Sequence, residues 1–303
     1  MNKVNLPIVF IHKGNSSYLF YSIYKAKISN SDSEIFLIGT SETKHYGKLV
    51  HYLPIEDFLS KATELEKVFT NYSTNSAAFE LFCLQRWFIL DEFMKKEGIK
   101  RCVYIDSDIL VYSNLSKAGQ AFQNFDMTFL GYSPHTNFIN NRLILEDFCN
   151  FIFNTYSKPE AAMFLEKKYN NFLKQYDAGG ISDMTFFHDY NKLHPGRLGN
   201  ISVILENSTF DITLDTEFGY EMEENIKKIK WINQIPHCKN LANKQWILFH
   251  TLHFQGALKK LMWSFWKKKT TRFYFYFAFF QTVFLFRKFF MKLFKWTGII
   301  KLH

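Results

Sequence analysis

The stretch Cys102-Val103-Tyr104-Ile105-Asp106-Ser107-Asp108-Ile109-Leu110-Val111-Tyr112 decides how the rest of this chain is read. An uncharged, β-prone run enters two carboxylates one residue apart, and an apolar run resumes at once. β-Branched and aromatic residues fill a pleated interior well, so the first run reads as a buried strand. An ionised Asp is costly to bury without a partner. Two of them at i and i+2, at the carboxyl end of a strand, share a face and repel unless a cation stands between them. Hard oxygen ligands suit Mg2+ or Mn2+, and open α/β sheets take their ligands at the carboxyl ends of strands. The plain alternative is a turn after a strand, with Asp as a turn or cap residue.

Upstream, residues 7–11 read as a first strand, His12-Lys13-Gly14-Asn15 as its loop, Tyr18 to Ile28 as a helix and Ser33 to Gly39 as a second strand. Strand, helix, strand in that order predicts a right-handed βαβ unit and a parallel sheet. A third short strand is expected over Leu49 to Leu53 and a helix over Ile55 to Lys67. Apolar residues recur near a 3.6 period from Ser76 to Lys96, which predicts a long helix stopped by Gly98. Arg86 lies inside it, and on helix position alone it reads as a surface arginine.

Downstream, Met127 to Leu130 reads as a strand and Ser133 to Asn141 as a polar loop. Helices are expected over Leu143 to Tyr156, Pro159 to Lys174 and Met184 to Tyr190. Asp183 opens the last of these, behind the Gly179-Gly180 loop, and fits both a helix cap and an active-site carboxylate. Strands are expected over Gly199 to Leu205, Phe210 to Leu214 and Trp246 to Phe249. Residues 215–230 read as a charged, exposed stretch.

After the last expected strand comes His253-Phe254-Gln255-Gly256-Ala257-Leu258-Lys259. Imidazole is a good ligand for Mn2+-like metals. A Gly lets backbone N–H groups approach phosphate oxygens, and a Lys ammonium neutralises them as a point charge. With the two carboxylates, these residues make a metal-diphosphate clamp.

Taken together, Tyr104-Ile105-Asp106-Ser107-Asp108 and the His-x-x-Gly-x-x-Lys segment resemble the GT-A glycosyltransferases, most closely the family 8 type of retaining, metal-dependent hexosyltransferases. The resemblance covers about residues 7–260. It implies a Rossmann-like α/β fold with a mixed, mainly parallel sheet flanked by helices. It implies that Asp106, Asp108 and His253 hold Mn2+ or Mg2+. His12, Gly14, Arg86, Asp106, Gly256 and Lys259 would bind a nucleotide sugar, a UDP-hexose, and Arg86 in Leu84-Gln85-Arg86-Trp87 matches an arginine that contacts the donor. Asp183 and Arg86 would serve catalysis. The family's Asn-Ala-Gly and Asp-Gln-Asp segments survive only as Phe138-Ile139-Asn140-Asn141 and Ser182-Asp183-Met184.

The chain has 303 residues, 47% of them hydrophobic, with a net charge of +9. That length and composition suit a folded α/β enzyme. Four scattered cysteines without a Cys-x-x-Cys pair argue against structural zinc or a disulfide framework and fit a cytoplasmic setting. The nine basic residues after position 260 account for the entire excess charge, 9 − 9 = 0, so residues 1–260 are formally neutral. We therefore divide the chain into a catalytic domain, 1–262, and a tail, 263–303. The tail carries sixteen aromatics. Arg287, Lys288, Lys292 and Lys295 fall on one helical side, with Phe286, Phe289, Phe290, Leu293 and Trp296 around the other. A basic amphipathic helix of this kind is expected to lie on a membrane surface, which points to a glycolipid or other lipid-linked glycan acceptor and a place on the inner face of the cell membrane. Packing of the tail on the core is the alternative. No nucleic-acid module surrounds the basic patch. The competing enzyme class is a haloacid dehalogenase-like phosphohydrolase, which also uses Asp-x-Asp after a strand; the competing non-enzyme is an inactive GT-A membrane scaffold.

Overall fold

A computed structural model of the chain describes residues 5–131, 133–266 and 271–296; the side chains of Arg272 and of residues 287–296 fall outside that description. The chain opens with β1 (Ile8–His12), α1 (Leu19–Ser29), β2 (Ile35–Gly39), β3 (His51–Pro54), α2 (Ser60–Val68) and α3 (Ala77–Lys96). The quoted stretch then forms β4 (Cys102–Ile105) and β5 (Ile109–Val111), with the two aspartates at the turn between them. A one-turn α4 (Leu115–Ala118) leads to β6 (Met127–Phe129), β7 (Thr136–Ile139), α5 (Arg142–Ser157), α6 (Pro159–Leu173), α7 (Asp183–Leu193) and β8 (Leu198–Asn200).

Seven of these strands form one sheet in the order β3-β2-β1-β4-β7-β6-β8. β1 runs parallel to β2 and β4, β2 to β3, and β6 to β8, while β7 is antiparallel to both of its neighbours. The sheet is thus mixed and mainly parallel, with helices on its faces, the architecture that the resemblance implied. Chain order reverses between β1 and β4. That is a topological switch point, where a crevice opens beyond the strand ends.

Alternation along β1 and β4 divides the core into two layers. Val9, Ile11, Cys102 and Tyr104 join the cluster built on α3, α5 and α7. Ile8, Phe10, Val103 and Ile105 join the cluster built on α1. Central strands buried on both faces need apolar residues at every position, which is why their sequences are nearly unbroken hydrophobic runs. The same alternation sets the site: Tyr104 faces α3, so Asp106, two residues on, continues toward α3 as well.

The C-terminal third builds a second, smaller layer. β9 (Ser208–Thr209), the hairpin β10 (Met222–Glu223) and β11 (Ile226–Lys227), the hairpin β12 (Ile229–Ile232) and β13 (Ile235–Lys239), and β14 (Trp246–Phe249) precede β15 (Thr251–His253). β12, β13, β14 and β9 make a four-stranded sheet, and β15 pairs with β5.

Several sequence expectations are revised here. The polar loop expected at Ser133 to Asn141 contains β7, a buried strand of the main sheet. Part of its polarity is answered inside the sheet, with Asn137 Oδ1 accepting from Thr128 N–H and Phe138 N–H donating to Thr128 Oγ1. Strand pairing with β4 and β6 overrides the local polarity. Only Leu198–Asn200 of the expected strand at 199–205 is extended in the sheet, and Phe210 to Leu214 is irregular. The stretch expected to be exposed at 215–230 holds the β10–β11 hairpin. Lys227 there is 1% exposed and pairs with buried Asp211 at 3.0 Å. The β12–β13 turn places Asn233 and Gln234 at φ of 49° and 66°, a twist that suits a two-residue hairpin.

The tail begins against the core. Trp266, Phe273 and Phe280 are buried with Phe20 and Tyr24 of α1. Phe273 stacks within 5.7 Å of both rings, and Tyr46 meets Phe280 at 4.6 Å. The final helix, α8 (Thr271–Trp296), continues from there for 26 residues. Its basic side chains, like Lys267–Lys269 and Lys301, lie outside the described residues. Among the described residues no helix is long and apolar enough to cross a membrane. Because Phe273 is fully buried, Phe273→Ala is expected to cost about 3 kcal/mol of unfolding free energy, measured by urea denaturation; an unchanged midpoint would show that the tail contributes no stability to the domain.

Candidate active site

The site gathers at the switch point from five segments. His12 ends β1, Arg86 stands on α3, Asp106 and Asp108 follow β4, Asp183 opens α7, and His253 ends β15. Register explains how residues so far apart in sequence meet. In the β5–β15 ladder His253 sits opposite Ile109, and Phe254 N–H donates to the Asp108 carbonyl at 3.0 Å. The imidazole therefore stands beside Asp108, with Nε2 3.7 Å from Oδ1. Two hydroxyls of α1 brace the ladder from outside, Ser22 Oγ donating to Ile109 O at 2.6 Å and Ser29 Oγ to Val111 O at 2.7 Å.

Arg86 is the hub of one half of the site. One guanidinium nitrogen donates to Asp106 Oδ1 at 2.7 Å and the other to Asp183 Oδ2 at 2.5 Å. Tyr104 hydroxyl donates to the same Asp106 oxygen at 2.5 Å, and Trp87 Nε1 donates to Asp183 Oδ2 at 3.1 Å. Burial works against the arginine's charge, but Asp106 and Asp183 more than offset it and hold its pKa well above its usual value. Arg86 is thus no surface arginine. Its planar fork suits two carboxylates at once, a geometry that Lys does not reproduce. Asp183 is the first residue of α7 and not its cap; Ser182 caps the helix, its N–H donating to Thr185 Oγ1 at 3.3 Å.

Asp108, His253 and Lys259 form the other half. Lys259 Nζ lies 3.0 Å from Asp108 Oδ2. Partial burial lowers its affinity for a proton, but Asp108 reverses the sign and holds the ammonium charged. His253 Nδ1 meets the Ile212 carbonyl at 2.8 Å; a carbonyl only accepts, so that nitrogen donates, and Nε2 is turned toward Asp108. Its backbone N–H donates to Asp211 Oδ2 at 3.1 Å, and Asp211 is in turn neutralised by Lys227. His135 stacks on His253 with ring centroids 3.9 Å apart and shares the Ile212 carbonyl at 2.8 Å. Burial, then the neighbouring His253, pushes the pKa of His135 far down.

The remaining candidates take quieter positions. His12 Nδ1 contacts Ser107 Oγ at 3.0 Å, while its Nε2 is buried without a hydrogen-bond partner among the described residues. Burial lowers its pKa to about 4, so it is neutral at pH 7. Gly14 has φ of 82° and donates its N–H to Thr40 Oγ1 at 3.0 Å. Gly256 has φ of 56°, a conformation that favours glycine, and a Cβ there would meet nothing within 4 Å. The space beside its backbone is open.

Among the described residues no group of three or more His, Cys, Asp and Glu side chains converges as a set of metal ligands. Asp106 Oδ1 takes hydrogen bonds from Arg86 and Tyr104. Asp108 and His253 offer a carboxylate oxygen and an imidazole nitrogen, donor types that Mn2+-like ions accept. At 3.7 Å those two atoms are too far apart for a hydrogen bond. Two ligands each about 2.1 Å from one cation stand roughly 3.0–3.5 Å apart, so the pair would draw slightly closer to hold one.

No family model matches the chain, and no curated protein matches it. Solved structures do. Mouse xyloside xylosyltransferase 1 in its apo form is 10% identical, aligned over 70% of this chain and 89% of that one, with a TM-score of 0.47. The galactosyltransferase LgtC in complex with donor and acceptor sugar analogs is 14% identical over 88% of this chain and 98% of that one, with a TM-score of 0.44. The glycosyltransferase GlyE of Streptococcus pneumoniae TIGR4 is 14% identical over 95% of this chain and 64% of that one, with a TM-score of 0.43.

Sequence reasoning passed over Tyr104, Trp87, His135, Asp211 and Lys227. Tyr104 had a signal, since the period of a strand puts it on the face of Asp106. His135 and the Asp211–Lys227 pair had none, because only tertiary folding brings their partners near. Arg86→Met should leave Asp106 and Asp183 facing one another without a counter-charge. It is expected to lower unfolding free energy by about 3 kcal/mol at pH 7. Urea denaturation of the variant beside the unmodified protein checks this, and an unchanged midpoint would count against the charge account.

Proposed function

We propose that the protein is a metal-dependent glycosyltransferase that moves a hexose from a nucleotide diphosphate sugar, a UDP-sugar by resemblance, to a glycan acceptor. The observation that carries this reading is the charge of the cluster. Three carboxylates, Asp106, Asp108 and Asp183, face the two fixed cations Arg86 and Lys259, with His253 beside Asp108 and His12 and His135 kept neutral by burial. A site with more carboxylates than fixed cations repels a diphosphate unless a divalent cation accompanies it. Mn2+ or Mg2+ is that cation in our reading, held by Asp108 and His253, and when bound it supplies charge neutralisation for the leaving diphosphate.

The chain's own residues do the rest. Lys259 offers a positively charged donor to the phosphate oxygens, and the open backbone at Gly256 lets N–H groups approach them. Arg86 orients Asp183, which is placed to contact the donor sugar or to accept a proton from the acceptor hydroxyl. Trp87, packed edge-on against Tyr104 and Phe187 at 5.0 and 4.9 Å, keeps that carboxylate from swinging away. A phosphohydrolase would need Asp106 as a free nucleophile, whereas its Oδ1 takes hydrogen bonds from Arg86 and Tyr104.

The test is direct. Calorimetry with Mn2+ and UDP should show binding that Asp108→Asn weakens about 100-fold, with a matching loss of UDP release from UDP-sugars. Undiminished transfer by that variant in the presence of a chelator would refute the metal role. Phosphate release from simple esters would favour the hydrolase, and no nucleotide binding at all the inactive scaffold.

The tail is proposed to hold the enzyme on the inner face of the cell membrane, where a lipid-linked acceptor, of lipooligosaccharide or capsule type, would be found. Five basic residues and no acidic ones follow position 286, which favours anionic lipid. Truncation after residue 286 spares the buried Phe273 and Phe280. It should reduce co-sedimentation with phosphatidylglycerol vesicles at least several-fold while leaving the melting temperature in place; unchanged sedimentation would reject the anchor.

A further inference from the structure

A cavity of about 380 Å³ lies beside the charged cluster, between α7 and the ends of β6 and β8. Two of its walls lead straight into the site. Met184 follows Asp183 in the chain, and Ile212 carries the carbonyl that holds His253. The cavity is therefore a neighbour of the place where transfer would occur, but none of the residues assigned to the donor lines it.

Its chemistry differs from that of the cluster. Phe129, Phe187 and Phe218 line it together with Asn191 and Asn200, and no Asp, Glu, Lys or Arg does so among the described residues. Such walls suit a neutral ligand with both apolar and hydrogen-bonding faces. Asn200 is locked in place. Its Oδ1 accepts from Gly131 N–H at 3.0 Å, Ser202 N–H at 3.0 Å and Ser202 hydroxyl at 2.8 Å. Its NH2 group has no partner among the described residues and remains a donor. Gly131, at φ of +61°, lets the loop close on this wall; a Cβ there would lie 2.7 Å from Ile212 Cδ1.

Phe218 is the unusual member. Its φ is +40°, uncommon for a bulky side chain, in a turn that Tyr220 N–H closes by donating to the Glu217 carbonyl at 2.9 Å. The residue is 45% exposed. The buried Lys227 ammonium lies 5.7 Å from its centroid and steadies the ring where it stands. The turn thus presents a half-exposed aromatic ring at the edge of the cavity, where it is available to a ligand.

A pyranose has an apolar face of C–H bonds and a rim of hydroxyls that both donate and accept. Aromatic rings take the first and carboxamides the second. We propose that this cavity binds a neutral pyranose unit of the acceptor, with Phe218 as the stacking surface and Asn191 and Asn200 reading the hydroxyls. The role as acceptor rests on the transfer reading above; the sugar site itself does not.

Saturation-transfer NMR on the full chain without nucleotide tests it, using methyl β-glucopyranoside, methyl β-galactopyranoside and lactose as probes. At least one probe should receive saturation on its ring protons, and Phe218→Ala and Asn191→Ala should each weaken its binding about tenfold in proteins whose melting curves stay cooperative. No saturation of any probe, or binding unchanged in both variants, overturns the proposal. Calorimetry with UDP and Mn2+ on the unmodified protein separates the two readings. Sugar binding without UDP binding upholds the sugar site and removes its role as acceptor, whereas UDP binding without sugar binding overturns the site and spares the donor reading.

Discussion

The pairing of β5 with β15 is the constraint on which the site depends. It ties the residues immediately after the aspartates to a segment about 140 positions later, and its register decides what stands beside Asp108. A slip of one residue would turn His253 to the opposite face and put Leu252 or Phe254 opposite Ile109. The main sheet cannot enforce this, because β5 lies outside it. The ladder is held instead by the α1 serines on one side and by the small C-terminal sheet on the other. The irregular segment after β9 reaches the site through Asp211, whose two oxygens serve the His253 backbone and the Lys227 ammonium.

Electrostatics then shape what the ladder has assembled. Three carboxylates in a crevice would drive one another apart or take up protons. Arg86 prevents this by spanning two of them, and Lys259 answers the third. Buried ion pairs of this sort add little net stability, since desolvation consumes most of the Coulomb gain. Their effect is positional. They hold Asp106 and Asp183 together on the α3 side of the crevice, while Asp108 stands between His253 and Lys259.

Patterns of short range were legible in the sequence. The apolar runs of β1 and β4 gave away central strands because both faces of those strands are buried, and α3 was plain from its 3.6 period. The Asp-x-Asp turn and the His-x-x-Gly-x-x-Lys segment stood out because charged groups against apolar runs need a reason. Polar strands were illegible. β7 carries Thr and Asn that enter the sheet only because β4 and β6 pair with its backbone, and Lys227 reads as solvent-exposed until Asp211 arrives from another segment. Arg86 read as a surface residue on helix position for the same reason, and only the family likeness suggested otherwise. The aromatic start of the tail carries a similar ambiguity, since a Phe-rich helix face matches a membrane surface and a protein core equally well.

The sequence by itself determined which segments could be central strands and helices, and which side chains could carry chemistry, because periodicity and the cost of isolated charges act over a few residues. The tertiary structure alone decided which of those side chains meet. It put Arg86 between two aspartates, set His253 against Asp108, and opened an uncharged cavity next to a charged cluster. Those outcomes depend on strand register and on partners many residues away, where no local pattern reaches.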